Sequence, residues 1–202
     1  MSDFEATLRE LLQGSCVLTS QQAGLLEAHF TLLTRWNRTL NLTAIRDMND
    51  AVSRHYAESL FLAAHLPADC GSIADLGSGA GFPGIPIAVF RPDCTVTLIE
   101  SHQRKAVFLK EATRHLGNVR VLAKRAEEVQ QHFDWLVSRA VAAREVLHFV
   151  PGLASNLALL LTRDDAAKLL VNSKLRFSEP IAVPWLPRSV LLLGNDVPRE
   201  TC

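Results

Sequence analysis

The feature that most constrains the fold of this chain is a cluster of glycines directly after a short apolar run. Four of the ten glycines fall within eight residues of the string Asp75–Gly84, which reads DLGSGAGFPG. The run before it, Ser72–Leu76, has the length of a buried strand, and Pro83–Phe90 follows as a helix. Glycines at such a junction accept positive φ and let a ligand approach the backbone. The string therefore predicts a ligand-binding loop between a strand and a helix, with free N–H groups that favour an anionic group.

Short apolar runs and amphipathic stretches continue to alternate after this loop. The predicted strands are 72–76, 95–99, 119–123, 135–138 and 156–161; the predicted helices are 83–90, 103–116, 125–131, 143–150 and 164–170; and runs at 181–183 and 190–193 predict a closing antiparallel hairpin. Continuously apolar strands that alternate with helices form a parallel sheet covered on both faces. We predict a doubly wound, mostly parallel α/β core over residues 70–202, with its ligands at the carboxyl ends of the strands.

The first 69 residues carry a helical pattern instead. Apolar residues recur at spacings of three and four in the segment 20–41 and again from Asn49 to Leu66. No linker rich in glycine or serine separates this part from the rest. We predict a helical N-terminal extension, residues 1–69, that forms one compact unit with the core.

Composition narrows the class of protein. No apolar run approaches the roughly 18 residues that a membrane span requires, and the start MSDFEATLRELLQ lacks the regions of a signal peptide. The cysteines at positions 16, 70, 94 and 202 form no CxxC pair. We therefore expect a cytoplasmic protein with no membrane span, no bound metal and no disulfide framework, and we interpret Cys94 as buried packing.

The formal net charge is zero, but the charges are unevenly distributed. Seven basic residues and one acidic residue lie between Arg104 and Arg125, a local net charge of +6. Such a stretch is either the solvated surface of a helix or a face that binds a polyanion. Charge alone does not decide between the two.

The glycine string fits two cofactor motifs. Gly79–Gly84 matches the dinucleotide pattern G-x-G-x-x-G, whereas Asp75-x-Gly77-x-Gly79-x-Gly81 resembles motif I of the class I S-adenosylmethionine methyltransferases. In the methyltransferase register the acid closes the strand and the glycines start at once. Glu100 ends the second strand and can accept both ribose hydroxyls, as an acid does in either family. The register favours S-adenosylmethionine, and a nicotinamide-dependent dehydrogenase is the distant alternative.

Six strings, taken in order, resemble one family. They are WNRTLNLTAIRD (Trp36–Asp47), RHYAESL (Arg54–Leu60), DLGSGAGFPGIPIAVFRP (Asp75–Pro92), LIESHQRKAVFLKE (Leu98–Glu111), KRAEE (Lys124–Glu128) and VSRA (Val137–Ala140). Together they resemble the bacterial small-subunit (16S) ribosomal RNA guanine-N7 methyltransferases, also called glucose-inhibited division protein B, over about residues 20–150. The resemblance implies a class I methyltransferase fold, S-adenosylmethionine as cofactor, and 16S rRNA or the small ribosomal subunit as substrate. We expect a monomer.

The resemblance also implies roles for individual residues. The implied cofactor contacts are the loop residues Asp75, Gly77, Gly79, Gly81 and Phe82, the ribose acid Glu100, the adenine-side residues Ala126 and Glu127, and Arg139. Arg139 is also the implied catalytic residue, near the methionine end and the target base, and a structural ion pair is its alternative role. Four N-terminal residues either face RNA or tie helices together: Asn37, Asn41, Arg54 and His55. RNA is expected across the Arg104–Arg125 region and the N-terminal helices.

The chemistry of an N7 acceptor agrees with this reading. Guanine N7 carries a lone pair and no proton, so the enzyme needs no general base and has only to align N7, the methyl carbon and the sulfur. The chain has no Asn/Asp-Pro-Pro-Tyr after the fourth strand and no Pro-Cys nucleophile. Arg139 is therefore expected to orient the acceptor.

One departure from the family keeps other hypotheses open. The family continues after the fifth strand with a Lys-Gly pair, and this chain has Leu160-Leu161-Thr162-Arg163 there. This departure keeps open a catalytically impaired protein that binds RNA or cofactor. Because fold and loop do not fix the substrate, a methyltransferase for another RNA or small-molecule acceptor is the other alternative.

Overall fold

A mixed sheet forms the centre of this computed structural model, which describes residues 1–139, 143–173 and 175–198. The strands are β1 (Ser72–Leu76), β2 (Thr95–Ile99), β3 (Val119–Leu122), β4 (Phe133–Arg139), β5 (Ala154–Thr162), β6 (Leu175–Phe177), β7 (Ile181–Ala182) and β8 (Ser189–Pro198). Their order is β3-β2-β1-β4-β5-β8-β6, with β7 also paired to β8. Strands β1 to β5 pair in parallel, and β8 runs antiparallel to β5. The predicted fold class is confirmed.

Helices cover both faces of the sheet. They are α1 (Asp3–Leu11), α2 (Ser20–Leu40), α3 (Met48–Ala51), α4 (Glu58–His65), α5 (Gly84–Phe90), α6 (Gln103–Thr113), α7 (Ala143–Leu153) and α8 (Arg163–Asn172), with a π-helical turn at Val52–Ala57 between α3 and α4. One core joins the N-terminal helices, α5 and α6 to one face of the sheet. A second core joins α7 and α8 to the other face. The strand order reverses between β1 and β4, which is where ligands of such sheets bind.

The N-terminal helices are tied to the core at specific points. Helix α2 begins with a capping box between Thr19 and Gln22, and the Gln22 amide also donates to the carbonyls of Val89 and Phe90. Tyr56, in the π-helical turn, is fully buried within the shared core. The extension and one face of the sheet thus exclude water together. Within the described residues, no helix has both the length and the apolar character needed to cross a bilayer.

The structure corrects several predicted bounds. The helix predicted at 125–131 is wrong, because only a 3-10 turn (Ala126–Glu128) forms before Val129 takes an extended conformation. The helix predicted to run to 116 ends at Thr113, after which the Leu116 N–H bonds to the Thr113 carbonyl in a turn. The hairpin of β7 and β8 is confirmed, and β6 beside it was not predicted. Ala140, the last residue of the VSRA string, and Cys202 lie outside the described residues.

Candidate active site

The glycine loop joins the end of β1 to the start of α5, as predicted. Gly77, Gly79 and Gly81 all have positive φ, at 72°, 56° and 92°. L-residues pay strain in this region, so the chain can coil this tightly only with glycine. The N–H groups of Gly77 and Ser78 both bond to the Ile99 carbonyl at the end of β2. The loop is therefore held at the carboxyl edge of the two strands.

Asp75 supports the loop from beneath. Its side chain is fully buried, and Oδ2 accepts a hydrogen bond from the Gly84 N–H at 3.0 Å. Burial raises the pKa of this carboxyl to about 7, and Oδ1 has no hydrogen-bond partner. A Cβ on Gly84 would lie 2.6 Å from Asp75 Oδ2, so this glycine is required by packing. Because the carboxyl is buried, a ligand would contact the loop and not Asp75 itself.

Glu100 borders the open side of the loop. Its Oε2 accepts from the Gly79 N–H at 2.9 Å and its Oε1 from the His102 N–H at 2.7 Å. A Cβ on Gly79 would meet only the Gly77 carbonyl, at 3.7 Å, so the space above this residue is free. A carboxylate oxygen has two lone pairs, and each oxygen of Glu100 keeps acceptor capacity for a ligand hydroxyl.

A cleft of about 180 Å³ lies at the carboxyl ends of β1 and β2. It brings Gly77 together with Ala126 and Glu127, three of the predicted cofactor residues. Other lining residues are Leu76, Ile99, Ser101, Lys124, Arg125, Glu145 and Phe149. The glycine backbone suits the amino-acid end of S-adenosylmethionine, and the carboxylate of Glu100 beside the loop suits its ribose. The apolar side chains of Ile99 and Phe149 in the cleft suit its adenine.

Arg139 lies at the end of β4 and is held by two buried groups of the N-terminal extension. Its Nε lies 3.1 Å from Glu58 Oε2, and its Nη1 donates to His55 Nδ1. Burial raises the pKa of the Glu58 carboxyl, and the guanidinium beside it works in the opposite direction. The ion pair considered as the alternative role of Arg139 is present. Arg139 is nevertheless not completely buried, and its exposed part lines a cavity.

His55 connects Arg139 to the glycine loop. Its ring stacks on Phe82, with centroids 4.6 Å apart and planes 20° apart. Because Arg139 can only donate, His55 Nδ1 accepts and Nε2–H donates to Thr43 Oγ1 at 2.8 Å. Burial, aided by the charge of Arg139, lowers the pKa of His55 to about 3. The ring is therefore neutral and acts as a fixed spacer.

His29 is a second histidine that supports the loop, and the sequence reasoning did not single it out. Its Nε2 bonds to the Ala80 carbonyl at 3.1 Å and its Nδ1 to the Tyr56 hydroxyl at 2.8 Å. Burial lowers its pKa to about 4. The buried stripe of α2 includes Leu26, His29 and Leu33. A histidine at i+3 of that apolar stripe is the signal that would have found it.

The structure separates the four N-terminal residues whose roles were left open. Asn37 ties the chain together, because its side chain bonds to both backbone groups of Thr43. His55 ties the extension to Arg139, and Asn41 ends α2 in a left-handed conformation with φ 47°. Arg54 is exposed and lines the same cavity as Arg139.

That cavity has a volume of about 1030 Å³ and lies at the carboxyl ends of β4 and β5. Its lining includes Arg54, Glu58 and Arg139 together with residues of α7 and α8. Leu160, Leu161 and Thr162 of β5 also line it, and they belong to the stretch at which the resemblance implies a Lys-Gly pair that this chain lacks. Thr162 instead caps α8, since its Oγ1 accepts from the Asp165 N–H.

The remaining predicted features occupy the surface or the core. Most basic side chains of the Arg104–Arg125 region are exposed, and Lys124 and Arg125 border the cleft at the ends of β1 and β2. Cys94 is buried, which confirms its packing role, and its Sγ lies 3.2 Å from that of Cys70. Among the described residues, no group of three or more His, Cys, Asp or Glu side chains is placed to hold a metal ion.

Comparison with known proteins identifies close relatives. The family model described as rRNA small subunit methyltransferase G, GidB, matches residues 22–157. Ribosomal RNA small subunit methyltransferase G of Xanthomonas campestris is 46% identical over 143 residues, which cover 69% of this chain and 66% of that protein. The protein of the same name from Stenotrophomonas maltophilia is 47% identical over 67% of this chain and 65% of its own length. The chain thus spans just under two thirds of the length of these relatives.

Solved structures share the fold at low sequence identity. A SAM dependent methyltransferase from Aquifex aeolicus superposes with a TM-score of 0.62 at 13% identity, over 78% of this chain and 97% of that one. Magnesium protoporphyrin IX methyltransferase from Synechocystis PCC 6803, solved with bound SAH, superposes with a TM-score of 0.60 at 14% identity, over 96% of this chain and 99% of that one. These likenesses support the methyltransferase fold and leave the acceptor open.

Proposed function

The chain belongs to the rRNA small subunit methyltransferase G (GidB) family, and on that premise we propose that it transfers a methyl group from S-adenosylmethionine to N7 of a guanine in 16S ribosomal RNA. The observation that carries the proposal is the position of Arg139. It lies between the glycine loop, to which His55 and Phe82 connect it, and the large cavity. In this proposal Arg139 stands between the cofactor loop and the cavity that receives the acceptor base.

The cofactor would be held by three parts of the described site. Gly77, which lines the cleft, and Gly79, above which space is free, would face its amino-acid end, and Glu100 offers acceptor oxygens to the ribose hydroxyls. Gly81 supplies a turn of the loop at positive φ. The backbone at Ala126 and Glu127 borders the adenine side of the cleft. When bound, S-adenosylmethionine supplies an electrophilic methyl group on its sulfonium sulfur.

The acceptor atom sets what the protein has to do. Guanine N7 has a free lone pair and no proton, so the transfer needs alignment and no proton acceptor. No histidine near the loop is free to accept a proton. His29 and His55 are neutral because their pKa values are lowered, and both nitrogens of each ring are already hydrogen-bonded. Arg139, fixed by Glu58 and His55, orients the nucleotide through its O6, its phosphate or the cofactor carboxylate.

The test is transfer of a labelled methyl group from S-adenosylmethionine to bacterial small ribosomal subunits that lack the modification. We expect label in the RNA fraction, and Arg139→Ala should lose most of the activity while the protein stays folded. Folding should survive because the Glu58 carboxyl, whose pKa burial raises, can take up a proton when its partner is removed. Label confined to protein, or full activity of Arg139→Ala, would contradict the proposal.

A catalytically impaired family member is the second candidate. It is favoured by the stretch Leu160-Leu161-Thr162-Arg163, which stands where the resemblance implies a Lys-Gly pair and whose first three residues line the cavity. The methyl-transfer assay separates the two candidates, because an impaired relative binds the cofactor, as calorimetry would show, without turnover. We further propose that the protein acts in the cytoplasm as a monomer. A sedimentation measurement tests the oligomeric state.

A further inference from the structure

The large cavity carries more positive charge than the ion pair inside it can neutralise. Its charged lining residues are the cations Arg54, Arg139, Arg144 and Lys168 and the acids Glu58 and Asp165. Glu58 is used by Arg139. Asp165 lies 3.6 Å from Lys168, but this pair is solvent-exposed and contributes little binding energy. Among the described residues, Arg54 and Arg144 form no salt bridge.

These cations come from three separate elements around the cavity. Arg54 lies in the π-helical turn, Arg144 in the first turn of α7 and Lys168 in the middle of α8. All three are exposed, whereas Arg139 is largely buried. Three cations that gather from different elements match a ligand with more than one negative group.

Most of the remaining lining residues are apolar, and the polar ones are Thr162, Asn172 and Ser189. Leu147 of α7, Leu160 of β5, Leu169 of α8 and Leu186 contribute to the apolar part. The volume of about 1030 Å³ is at the upper end of the range for small-molecule sites. Apolar walls with a cationic border suit a flat base that enters the cavity while its phosphates stay outside. Enzymes that modify a base commonly take it out of its stack in this way.

We propose that Arg54, Arg144 and Lys168 form a phosphate clamp that binds the backbone on either side of an unstacked purine nucleotide, whose base enters the cavity toward Arg139. This inference rests on the proposed function, which supplies RNA as the substrate class. Phosphate contacts position a nucleic acid without reading its sequence. The clamp therefore sets the affinity for RNA and leaves cofactor binding unchanged.

The test compares charge reversals in the clamp with a matched reversal outside it. The variants are Arg144→Glu and Lys168→Glu, with the neutral Arg54→Gln, Arg144→Gln and Lys168→Gln in case a reversal disturbs folding. Arg176→Glu is the control, because Arg176 is an exposed arginine of β6 that does not line the cavity. Thermal melting verifies the fold of each variant, and calorimetry measures its S-adenosylmethionine affinity.

We expect each reversal in the clamp to raise the KM for small ribosomal subunits about tenfold or more, with cofactor affinity unchanged. The salt dependence of RNA binding should lose about one unit of slope per phosphate contact removed. The control should match the wild-type protein. A KM and salt slope unchanged in folded clamp variants would overturn the clamp. Failure of the wild-type protein to methylate RNA would instead overturn the proposed function, so the two failures are distinguishable.

Discussion

Arg139 and Glu58 form a buried ion pair, 3.1 Å from Nε to Oε2, that joins the end of β4 to the start of α4. The pair brings together the two parts of the chain that the sequence pattern separates, the α/β core and the helical extension. His55 and Phe82 continue the connection to the glycine loop. The extension is thus a wall of the candidate active site.

The two partners of this pair should differ in how much their removal costs. Glu58→Ala leaves a largely buried guanidinium that cannot lose its proton, whereas Arg139→Ala leaves a carboxyl that can become neutral. We expect Glu58→Ala to lower the free energy of unfolding by about 3–5 kcal/mol and Arg139→Ala to lower it less. Urea unfolding of both single variants and the double variant measures this. Equal costs of the two single variants would contradict the predicted difference, and strictly additive costs in the double variant would show that the pair is not coupled.

Alanine substitutions at two glycines of the loop should have different effects, one on folding and the other on cofactor binding. In Gly81→Ala the new Cβ would lie 2.4 Å from Ile85 Cδ1 at φ 92°, so this change should destabilise the fold. In Gly79→Ala the Cβ meets nothing closer than 3.7 Å, so the strain should cost about 1–2 kcal/mol while the methyl group fills space needed by the cofactor.

Calorimetry with S-adenosylmethionine and urea unfolding distinguish these two effects. Gly24→Ala is the control, because Gly24 lies in the second turn of α2 and a Cβ there meets nothing within 4 Å. It should raise the free energy of unfolding by up to about 1 kcal/mol and leave cofactor affinity unchanged. Wild-type affinity in Gly79→Ala would place the cofactor away from this loop.

Glu100→Gln should weaken cofactor binding, and it should also loosen the loop, because the amide can accept from only one of the Gly79 and His102 N–H groups that the carboxylate holds. The amide keeps the shape of the side chain but loses the charge-assisted bonds to ribose hydroxyls, worth about 1.5–3 kcal/mol. We therefore expect a dissociation constant at least tenfold higher, measured by calorimetry. Glu111→Gln is the control, since Glu111 pairs with the exposed Arg35 outside the cleft. If both variants bind the cofactor equally well, Glu100 is not the ribose acid.

The buried Asp75 predicts a pH dependence of stability. Its pKa is raised from an ordinary value near 3.8 to about 7 in the folded protein, so the folded state binds more protons than the unfolded state between these values. The stabilisation is present at low pH and is lost as the pH rises through 7. Relative to Asp75→Asn, the wild-type free energy of unfolding should fall by about 2–3 kcal/mol between pH 5 and pH 8. Parallel pH profiles for the two proteins would show that Asp75 ionises normally.

Local patterns predicted much of the fold, and long-range contacts explain most of the rest. The glycine loop was predictable because its function requires adjacent residues after a strand, and β1, β2 and α2 follow simple periodicity. The contacts of Arg139 with His55 and Glu58 were not predictable, because His55 lies 84 residues from Arg139 in the sequence. The π-helical turn that carries Arg54 and His55 has the same apolar spacing as an ordinary helix. Strand β6 is only three residues long and forms by pairing with β8.

The central claim is the identity of the acceptor atom, and nucleoside analysis tests it most directly. Small ribosomal subunits lacking the modification would be incubated with the protein and methyl-labelled S-adenosylmethionine, and their RNA digested to nucleosides. The account predicts that the label is found in 7-methylguanosine, and that Arg139→Ala loses most of it while Arg176→Ala keeps it. Label in any other methylated nucleoside, or no label from a protein that binds the cofactor, would contradict the account.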